Sequence, residues 1–309
     1  MSESLQLFEA GRSTRGWHRI EKGIRCLRLF GLTEDREENA AAQAAVDAFN
    51  EGVNTPEALM RGTMLHQALA HLYLQKQDAD NKEPKRWLDP VPSMHAFAEK
   101  QMVPELYAQF IEPITAVLEA YDMRWSAADA AFEVVAVEHQ LETVISDASG
   151  QRAHQYTQRA DLIVRMLRGP DKGKIFIYDH KSAYRIASNT LNQYILDGQF
   201  IGYQLLGYRR WGTDFGGVII NRMRIPKDEK DMAAIYDKTQ WRYFFARDLV
   251  PVSPAAIRSL QITIDYYETQ IAKLKKAGIP RTEWPGALSG EICWGKFGQC
   301  PKWHTCHGR

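Results

Sequence analysis

The sequence has few cysteines, no long apolar segment and no excess of either charge. Four of its 309 residues are cysteine, too few for the disulfide framework typical of a small secreted protein. No apolar run approaches the roughly 18 residues that a membrane-spanning helix needs. The first residues, MSESLQLFEA, lack the basic and apolar regions of a signal peptide. These absences predict a cytoplasmic protein without a membrane segment.

The charge balance excludes no class of partner. Lys and Arg number 39 against 38 for Asp and Glu. A local basic groove would not show in such a total, so nucleic acid is neither indicated nor excluded. Hydrophobic residues make up 45% and charged residues 25%, ordinary values for a globular protein. The length is sufficient for a large core.

Four apolar stretches predict a sheet in the middle of the chain. They are FEVVAVEHQLETVIS from Phe132, RADLIVRML around Asp161, KIFIYDHKSA from Lys174 and GGVIINRMRI from Gly216. Helical patterns lie on both sides and over about 191–211, between the last two strands. We therefore predict one α/β domain over 1–309, with a helical part over 1–130, an α/β core over 131–225 and a helical part over 226–309. Trp17 to Phe30 suits one helix, and 233–277 looks mainly helical.

Two neighbouring predicted strands each carry a carboxylate. The turn signal from Gly169 to Gly173 joins the strand of Asp161 to the strand of Asp179. Side chains alternate along a strand, so Asp179 and Lys181 share a face. Carboxylates suit Mg²⁺ or Mn²⁺, and a nearby ammonium can orient water and offset developing negative charge. Taken alone, an Asp-x-Lys pair is more typical of a solvated ion pair.

Helical segments before and after the hairpin add polar pairs four residues apart. Gly62 and His66 share one helix face, and Gln199 and Tyr203 share another. Gln204 and Tyr208 repeat the second spacing and compete with it. The alternative interpretation is a half-buried surface histidine and an amphipathic helix that packs its aromatic residues on the sheet.

In this order the pieces resemble RecB-like nucleases of the PD-(D/E)XK superfamily, especially its iron–sulfur branch of AddB-type, CRISPR-associated and phage exonucleases. The family pattern is Gly-x-x-x-His, Gly-x-x-Asp, (Asp/Glu)-x-Lys and Gln-x-x-x-Tyr. It is matched over about 60–210 by Gly62 with His66, Asp161, Asp179 with Lys181, and Gln199 with Tyr203. The resemblance implies a restriction-endonuclease-like mixed sheet flanked by helices, with terminal helical additions closed by a cysteine cluster. It also implies a Mg²⁺- or Mn²⁺-dependent exonuclease of phage or host recombination, repair or replication, acting on single-stranded DNA or duplex ends.

The resemblance assigns roles residue by residue. His66, Asp161, Asp179 and the backbone carbonyl of His180 would hold the metal. Lys181 would position the water, and Gln199 and Tyr203 would support the site or touch DNA. Glu138, on the preceding strand, is a further acidic candidate. Gln158 replaces the family glycine three residues before Asp161, and its side chain is expected to narrow the approach of the DNA backbone.

Three of the four cysteines cluster near the end of the chain. Cys293, Cys300 and Cys306 are spaced C-x6-C-x5-C, and Cys26 lies far upstream. Four thiolates can hold a [4Fe–4S] cluster or a zinc ion. The missing C-x2-C pair weighs against a zinc ribbon, while His304 and His307 keep zinc open; unrelated buried cysteines are the other alternative. One N-terminal and three C-terminal cysteines resemble the iron–sulfur nucleases, where the cluster would be a structural staple.

Arginine and aromatic residues interleave in three stretches. These are Tyr203 to Trp211, Trp241 to Phe244 and Trp294 to His304. Aromatic faces can stack on bases while cations track phosphates; an aromatic core with solvated charges explains the same pattern. Two other functions stay open: a catalytically silent DNA-binding or scaffold protein of the same fold, and a zinc-stabilised interaction protein. Ring-shaped oligomers occur among relatives, so a homo-oligomer or a recombination or replication partner is also implied.

Overall fold

The computed structural model describes two compact units. It describes residues 15–33, 57–79, 94, 104–147, 150, 152–183, 185–186, 191–287, 293–295 and 298–300. The first unit, here called the sheet unit, comprises residues 1–11, 55–141 and 159–252; the second, the terminal unit, comprises 12–54, 142–158 and 253–309. None of the helices in the described ranges has the length and apolar character to cross a membrane.

The helices come before, between and after the strands. The α-helices are α1 (Trp17–Arg25), α2 (Leu27–Thr33), α3 (Glu57–Ala79), α4 (Pro104–Asp129), α5 (Leu191–Ile195), α6 (Gly198–Trp211), α7 (Glu229–Ala234) and α8 (Pro254–Lys276). Short 3₁₀ helices are η1 (Gly212–Asp214), η2 (Lys238–Tyr243) and η3 (Arg281–Glu283). The strands are β1 (Phe132–Ser146), β2 (Ala153–Met166), β3 (Ile175–Ala183), β4 (Phe215–Arg224), β5 (Phe245–Val250), β6 (Trp294–Gly295) and β7 (Gly298–Gln299).

The first five strands form one mixed sheet in the order β1-β2-β3-β4-β5. β2 and β3 pair antiparallel and are joined by the predicted turn, in which Gly169 and Gly173 have positive φ. β3 and β4 pair parallel, and α5 and α6 form the crossover that a parallel pair requires. β5 is antiparallel to β4 and ends the sheet. The expected α/β type, a mixed central sheet flanked by helices, is confirmed.

Helices cover both faces of this sheet. Apolar residues of α3 and α4, such as Leu65, Leu69 and Val117, share one core with Val164 and Tyr178 of the strands. The opposite face carries α6, because the next residue along β3, Asp179, contacts Gln199 of that helix. β3 is buried from Ile175 to His180, so its polar residues face protein on both sides.

The structure differs from the predicted elements in three places. The single helix expected from Trp17 to Phe30 breaks at Cys26, whose backbone is extended. The helix expected over 191–211 breaks before α6, where the Asp197 carboxylate accepts a hydrogen bond from the Gln199 N–H and caps the new helix. The expectation of helix over 226–309 is wrong for β5, because the charged residues of FARDLV find their partners on distant elements.

The terminal unit has a small core of its own. Phe30, Ile271 and Trp284 pack together. Gly31 of α2 faces the Trp284 indole so closely that a Cβ atom there would lie 2.9 Å from it. Arg28 Nε donates to the Trp284 carbonyl at 2.8 Å. Arg19 of α1 pairs with Glu268 of α8 at 3.0 Å. These contacts join α1 and α2 to the C-terminal helix α8 and to η3.

Candidate metal centre

Asp161 and Asp179 lie side by side on the β2–β3 hairpin. Leu162 pairs with Tyr178 in the antiparallel register, and continuing that register by one residue sets Asp161 opposite Asp179. Asp161 Oδ2 accepts a 2.6 Å hydrogen bond from the backbone N–H of His180. The Asp179 side chain is fully buried. The predicted hairpin therefore brings the two carboxylates together.

Lys181 and Gln199 hold the Asp179 carboxylate between them. Lys181 Nζ lies 2.7 Å from Asp179 Oδ2, which confirms that the two side chains share a face. Gln199 Nε2 donates to Asp179 Oδ1 at 2.9 Å, and Gln199 Oε1 accepts from Lys181 Nζ at 3.4 Å. Tyr203 OH lies 3.3 Å from Gln199 Nε2 and donates to the Arg159 carbonyl at 2.6 Å. Three side chains thus close a ring of polar contacts, anchored by a tyrosine.

The structure separates the two competing glutamine–tyrosine pairs. Gln204 is buried and donates to the Val250 carbonyl at 3.0 Å, while Tyr208 is half exposed. Only the Gln199 pair contacts Asp179. The Asp197 cap explains its position, because it starts α6 at the residue before Gln199.

His66 reaches the carboxylates from α3. Its Nδ1 lies 3.5 Å from Asp161 Oδ2. One turn earlier, a Cβ atom on Gly62 would lie 3.0 Å from Ser182 Oγ of β3. The glycine therefore lets α3 approach the strand closely, which explains the four-residue spacing in the sequence.

Glu138 of β1 also belongs to this cluster. Ligand atoms of His66, Glu138 and Asp161 all lie within 4.8 Å of one another. Glu138 has φ 46°, the one positive φ among the described non-glycine residues. Such a backbone costs about 1–3 kcal/mol and persists where the surroundings fix it. Glu138 Oε2 is held by Arg159 Nε at 3.1 Å.

The carboxylates of Glu138, Asp161 and Asp179 repel one another, and the neighbouring cations offset only part of this repulsion. Burial, then repulsion from Asp161, raises the pKa of Glu138 to about 8 against the pull of Arg159. Burial also raises the pKa of Asp179 to about 6 despite Lys181. Burial lowers the pKa of Lys181, but Asp179 and then Asp161 outweigh it and raise this pKa, so the ammonium stays charged. A divalent cation would relieve this repulsion, so the donor set fits a hard metal ion.

His180 contributes its backbone to this site and its side chain to the opposite face. The ring is buried and stacks on Tyr73, with centroids 5.8 Å apart. Its Nδ1 lies 2.8 Å from Asn221 Nδ2, which makes Nδ1 the acceptor. Burial lowers the pKa of His180 to about 3, so the ring is neutral. The role of its backbone carbonyl as a metal ligand stays a prediction.

A buried polar network lies behind His180, and the sequence analysis did not predict it. Asn221 Nδ2 also donates to Tyr121 OH at 2.8 Å. Arg247 Nη2 donates to Tyr121 OH at 2.6 Å, and Arg247 Nη1 donates to Asp129 Oδ1 at 2.5 Å. Tyr73 OH donates to Asp129 Oδ2 at 2.9 Å. Asn221, polar in the middle of the apolar run VIINRM, was the sequence signal for it.

The Gln158 side chain does not face the surface that DNA was expected to approach. Its side chain is buried, with 4% exposed, and among the described residues its Oε1 has no hydrogen-bond donor. The expectation that this side chain narrows the approach of DNA is therefore wrong, because the chain has turned it inward.

Three of the four cysteines can be placed. Cys26 lies between α1 and α2, where its Sγ accepts from the Leu29 N–H at 3.3 Å. Cys300 N–H donates to the Cys293 carbonyl at 2.8 Å, beside the β6–β7 pair. Burial, then the Cys300 and Cys26 thiols, raises the pKa of Cys293. All three of these cysteines belong to the terminal unit. Cys306, His304 and His307 lie outside the described residues.

Comparisons with known proteins give one family. A family model described as "PD-(D/E)XK nuclease superfamily" matches residues 18–307. No curated protein matches the chain. A solved structure titled "Crystal structure of SSO0001" is 14% identical, covers 71% of this chain and 96% of that chain, and gives a TM-score of 0.29. The family match extends over residues of both units.

Proposed function

Since this chain belongs to the PD-(D/E)XK nuclease superfamily, we propose that it is a metal-dependent exonuclease that hydrolyses phosphodiester bonds of DNA. One observation carries this proposal: Asp179, Lys181 and Gln199 form a closed ring of contacts of 2.7–3.4 Å beside Asp161. Together with Asp161, these residues come from three separate sequence motifs. The Asp179 carboxylate is buried, unlike the carboxylate of a solvated surface ion pair.

The proposed metal ligands are His66, Asp161, Asp179 and the His180 carbonyl. Glu138 is a further ligand candidate, since its carboxylate lies with His66 and Asp161. Oxygen-rich ligands favour Mg²⁺ or Mn²⁺. When bound, such an ion would lower the pKa of a coordinated water and stabilise charge on the phosphoryl group.

The side chains around the metal site have separate tasks. Lys181 carries a charged ammonium next to Asp179, where it can hold the attacking water and offset the charge of the transition state. Gln199 fixes both of these groups, since it contacts the carboxylate and the ammonium. Tyr203 fixes Gln199 in turn through the Arg159 carbonyl. Preorganised groups of this kind lose little free energy to reorientation during the reaction.

The cysteines are proposed to hold a [4Fe–4S] cluster that stabilises the terminal unit. The placement of Cys26, Cys293 and Cys300 in the same compact unit supports this proposal, and Cys306 would be the fourth ligand. Zinc is the alternative. Iron and zinc analysis of anaerobically purified protein, with its visible absorption spectrum, separates the two.

The whole chain is proposed to act as one nuclease domain. The family match over residues 18–307 supports this, because it includes segments of both units. We propose cytoplasmic DNA, as single strands or duplex ends, as the substrate in phage or host recombination, repair or replication. A homo-oligomer and partners from those pathways are consistent with this role.

Cleavage assays test the proposal directly. End-labelled single-stranded and duplex DNA is incubated with anaerobically purified protein and Mg²⁺, Mn²⁺ or EDTA. Asp179→Ala and Lys181→Ala should each abolish metal-dependent cleavage, while circular dichroism and DNA binding stay close to wild type. Cleavage that survives both substitutions would refute the assignment of the site. DNA binding by the wild type without cleavage in any metal would favour the catalytically silent alternative.

A further inference from the structure

An open cleft of about 590 Å³ lies between α4, η2 and β5 of the sheet unit. We call it the β5 cleft and define it by six of its lining residues. They are Arg124, Trp125, Lys238, Trp241, Arg242 and Arg247. None of these residues belongs to the proposed metal centre. Trp241 and Arg242, the first two residues of the stretch Trp241 to Phe244, form part of its wall.

The cleft carries positive charge that no carboxylate neutralises within the described part of the chain. Arg124 and Lys238 contact aromatic rings only, and Arg242 Nη2 donates to Tyr243 OH at 2.9 Å. The one acidic lining residue, Asp248, is paired with Arg222 at 2.6 Å. Arg247 is neutralised by Asp129. Three cations are therefore available to an anionic ligand.

Aromatic rings hold two of these cations in place. The Arg124 guanidinium lies 4.4 Å from the Trp125 ring centroid and 5.9 Å from that of Trp241. Lys238 Nζ lies 6.0 Å from the Trp241 centroid. Such cation–π contacts restrict long side chains before a ligand arrives. Trp125 Nε1 is buried and has no acceptor among the described residues; an indole N–H only donates, so it suits a phosphate oxygen.

The cleft and the metal centre are separated by the sheet. His180 pairs with Asn221, and Asn221 pairs with Arg247, so Arg247 lies two strand spacings, about 10 Å, from His180. Arg247 and the cleft are on the face of α4, whereas the Asp179 carboxylate contacts α6 on the other face. A ligand in the cleft would therefore not touch the reacting phosphate.

We propose that the β5 cleft is a second nucleic-acid site, which binds phosphates of the DNA strand whose end occupies the metal centre. Arg124, Lys238 and Arg242 would contact the phosphates, and the Trp125 N–H would add a neutral donor. Guanidinium groups recognise phosphate oxygens through paired hydrogen bonds. This inference rests on the proposed nuclease function for its ligand.

The salt dependence of DNA binding tests this site. The cleft variant is Arg124→Gln/Lys238→Gln/Arg242→Gln. The control variant, Arg168→Gln/Lys172→Gln/Lys276→Gln, removes the same charge from exposed positions outside the cleft. Fluorescence anisotropy with a labelled oligo(dT) of about 16 nucleotides is measured in EDTA at several salt concentrations. The slope of log affinity against log salt concentration is negative, and each lost phosphate contact reduces its magnitude by about 0.7.

The cleft variant should reduce the magnitude of this slope by about 2 relative to the wild type. The control variant should leave the slope close to the wild-type value. Equal slopes for the two variants would overturn the proposal. If circular dichroism shows the triple variant unfolded, Lys238→Gln/Arg242→Gln replaces it, with an expected decrease of about 1.4. Wild-type cleavage with equal slopes refutes only the cleft; cleft-dependent binding without wild-type cleavage refutes only the nuclease activity.

Discussion

Removal of the Arg247 side chain should strongly destabilise the sheet unit. Its guanidinium donates to Asp129 Oδ1 at 2.5 Å and to Asp129 Oδ2 at 3.2 Å, and the two side chains are only 8% and 9% exposed. Arg247→Met would leave the Asp129 carboxylate buried with Tyr73 as its remaining side-chain donor. Breaking a buried pair from one side typically costs about 3–5 kcal/mol. We expect a loss of that size in the free energy of unfolding.

The double variant Asp129→Leu/Arg247→Met is the matched control. It removes both charges, so no ion stays buried without a partner, and replacing a whole buried pair is often close to neutral. Urea unfolding is followed by circular dichroism. The double variant should unfold at a higher urea concentration than Arg247→Met, and its free energy of unfolding should be higher by about 2 kcal/mol or more. A loss below about 1 kcal/mol for Arg247→Met, or a double variant that is no more stable than Arg247→Met, would refute the reasoning.

Three further predictions concern the site and the cysteines. Gln199→Ala should lower the cleavage rate about 10- to 100-fold with DNA affinity retained, because it frees Asp179 and Lys181; equal single-turnover rates would contradict this. Since the pKa values of Glu138 and Asp179 are raised to about 8 and about 6, metal-free stability should fall as pH rises from about 4.5 to 8, and calorimetric Mn²⁺ affinity should rise. If stability does not change over this pH range, Glu138 and Asp179 do not have raised pKa values. Cys300→Ala should reduce iron from about four per chain towards zero; unchanged iron would contradict the cluster.

Local periodicity was enough to predict the hairpin and one face of the site. Period-2 alternation placed Asp179 and Lys181 together, and the four-residue helical spacing placed Gln199 with Tyr203; both placements agree with the structure. The spacing alone did not distinguish this pair from Gln204 and Tyr208. These features depend only on the geometry of a single element, which a sequence pattern contains. The exposure of a carboxylate depends on its neighbours, and the burial of Asp179 could not be read from the pattern.

Other features depend on contacts between distant residues. β5 was missed because FARDLV lacks a clear alternation, and its charges are satisfied by Asp129 and Arg222 from other elements. Glu138 was expected only as a further acidic candidate, since nothing in β1 indicates a positive φ there. The break at Cys26 likewise has no helix-breaking residue to mark it. In each case the tertiary partners outweigh the local preference.

The alternation along β3 connects the buried network directly to the candidate metal centre. Asp179 and Lys181 face α6, while the residue between them, His180, faces Tyr73 and Asn221. The backbone N–H of His180 is bonded to Asp161, and the backbone carbonyl of His180 is proposed as a metal ligand, so a displacement of the His180 backbone would disturb both groups. Asn221 holds the His180 ring, and Arg247 and Tyr121 hold Asn221. The network therefore fixes the part of β3 that carries Asp179, the carboxylate proposed to bind the metal.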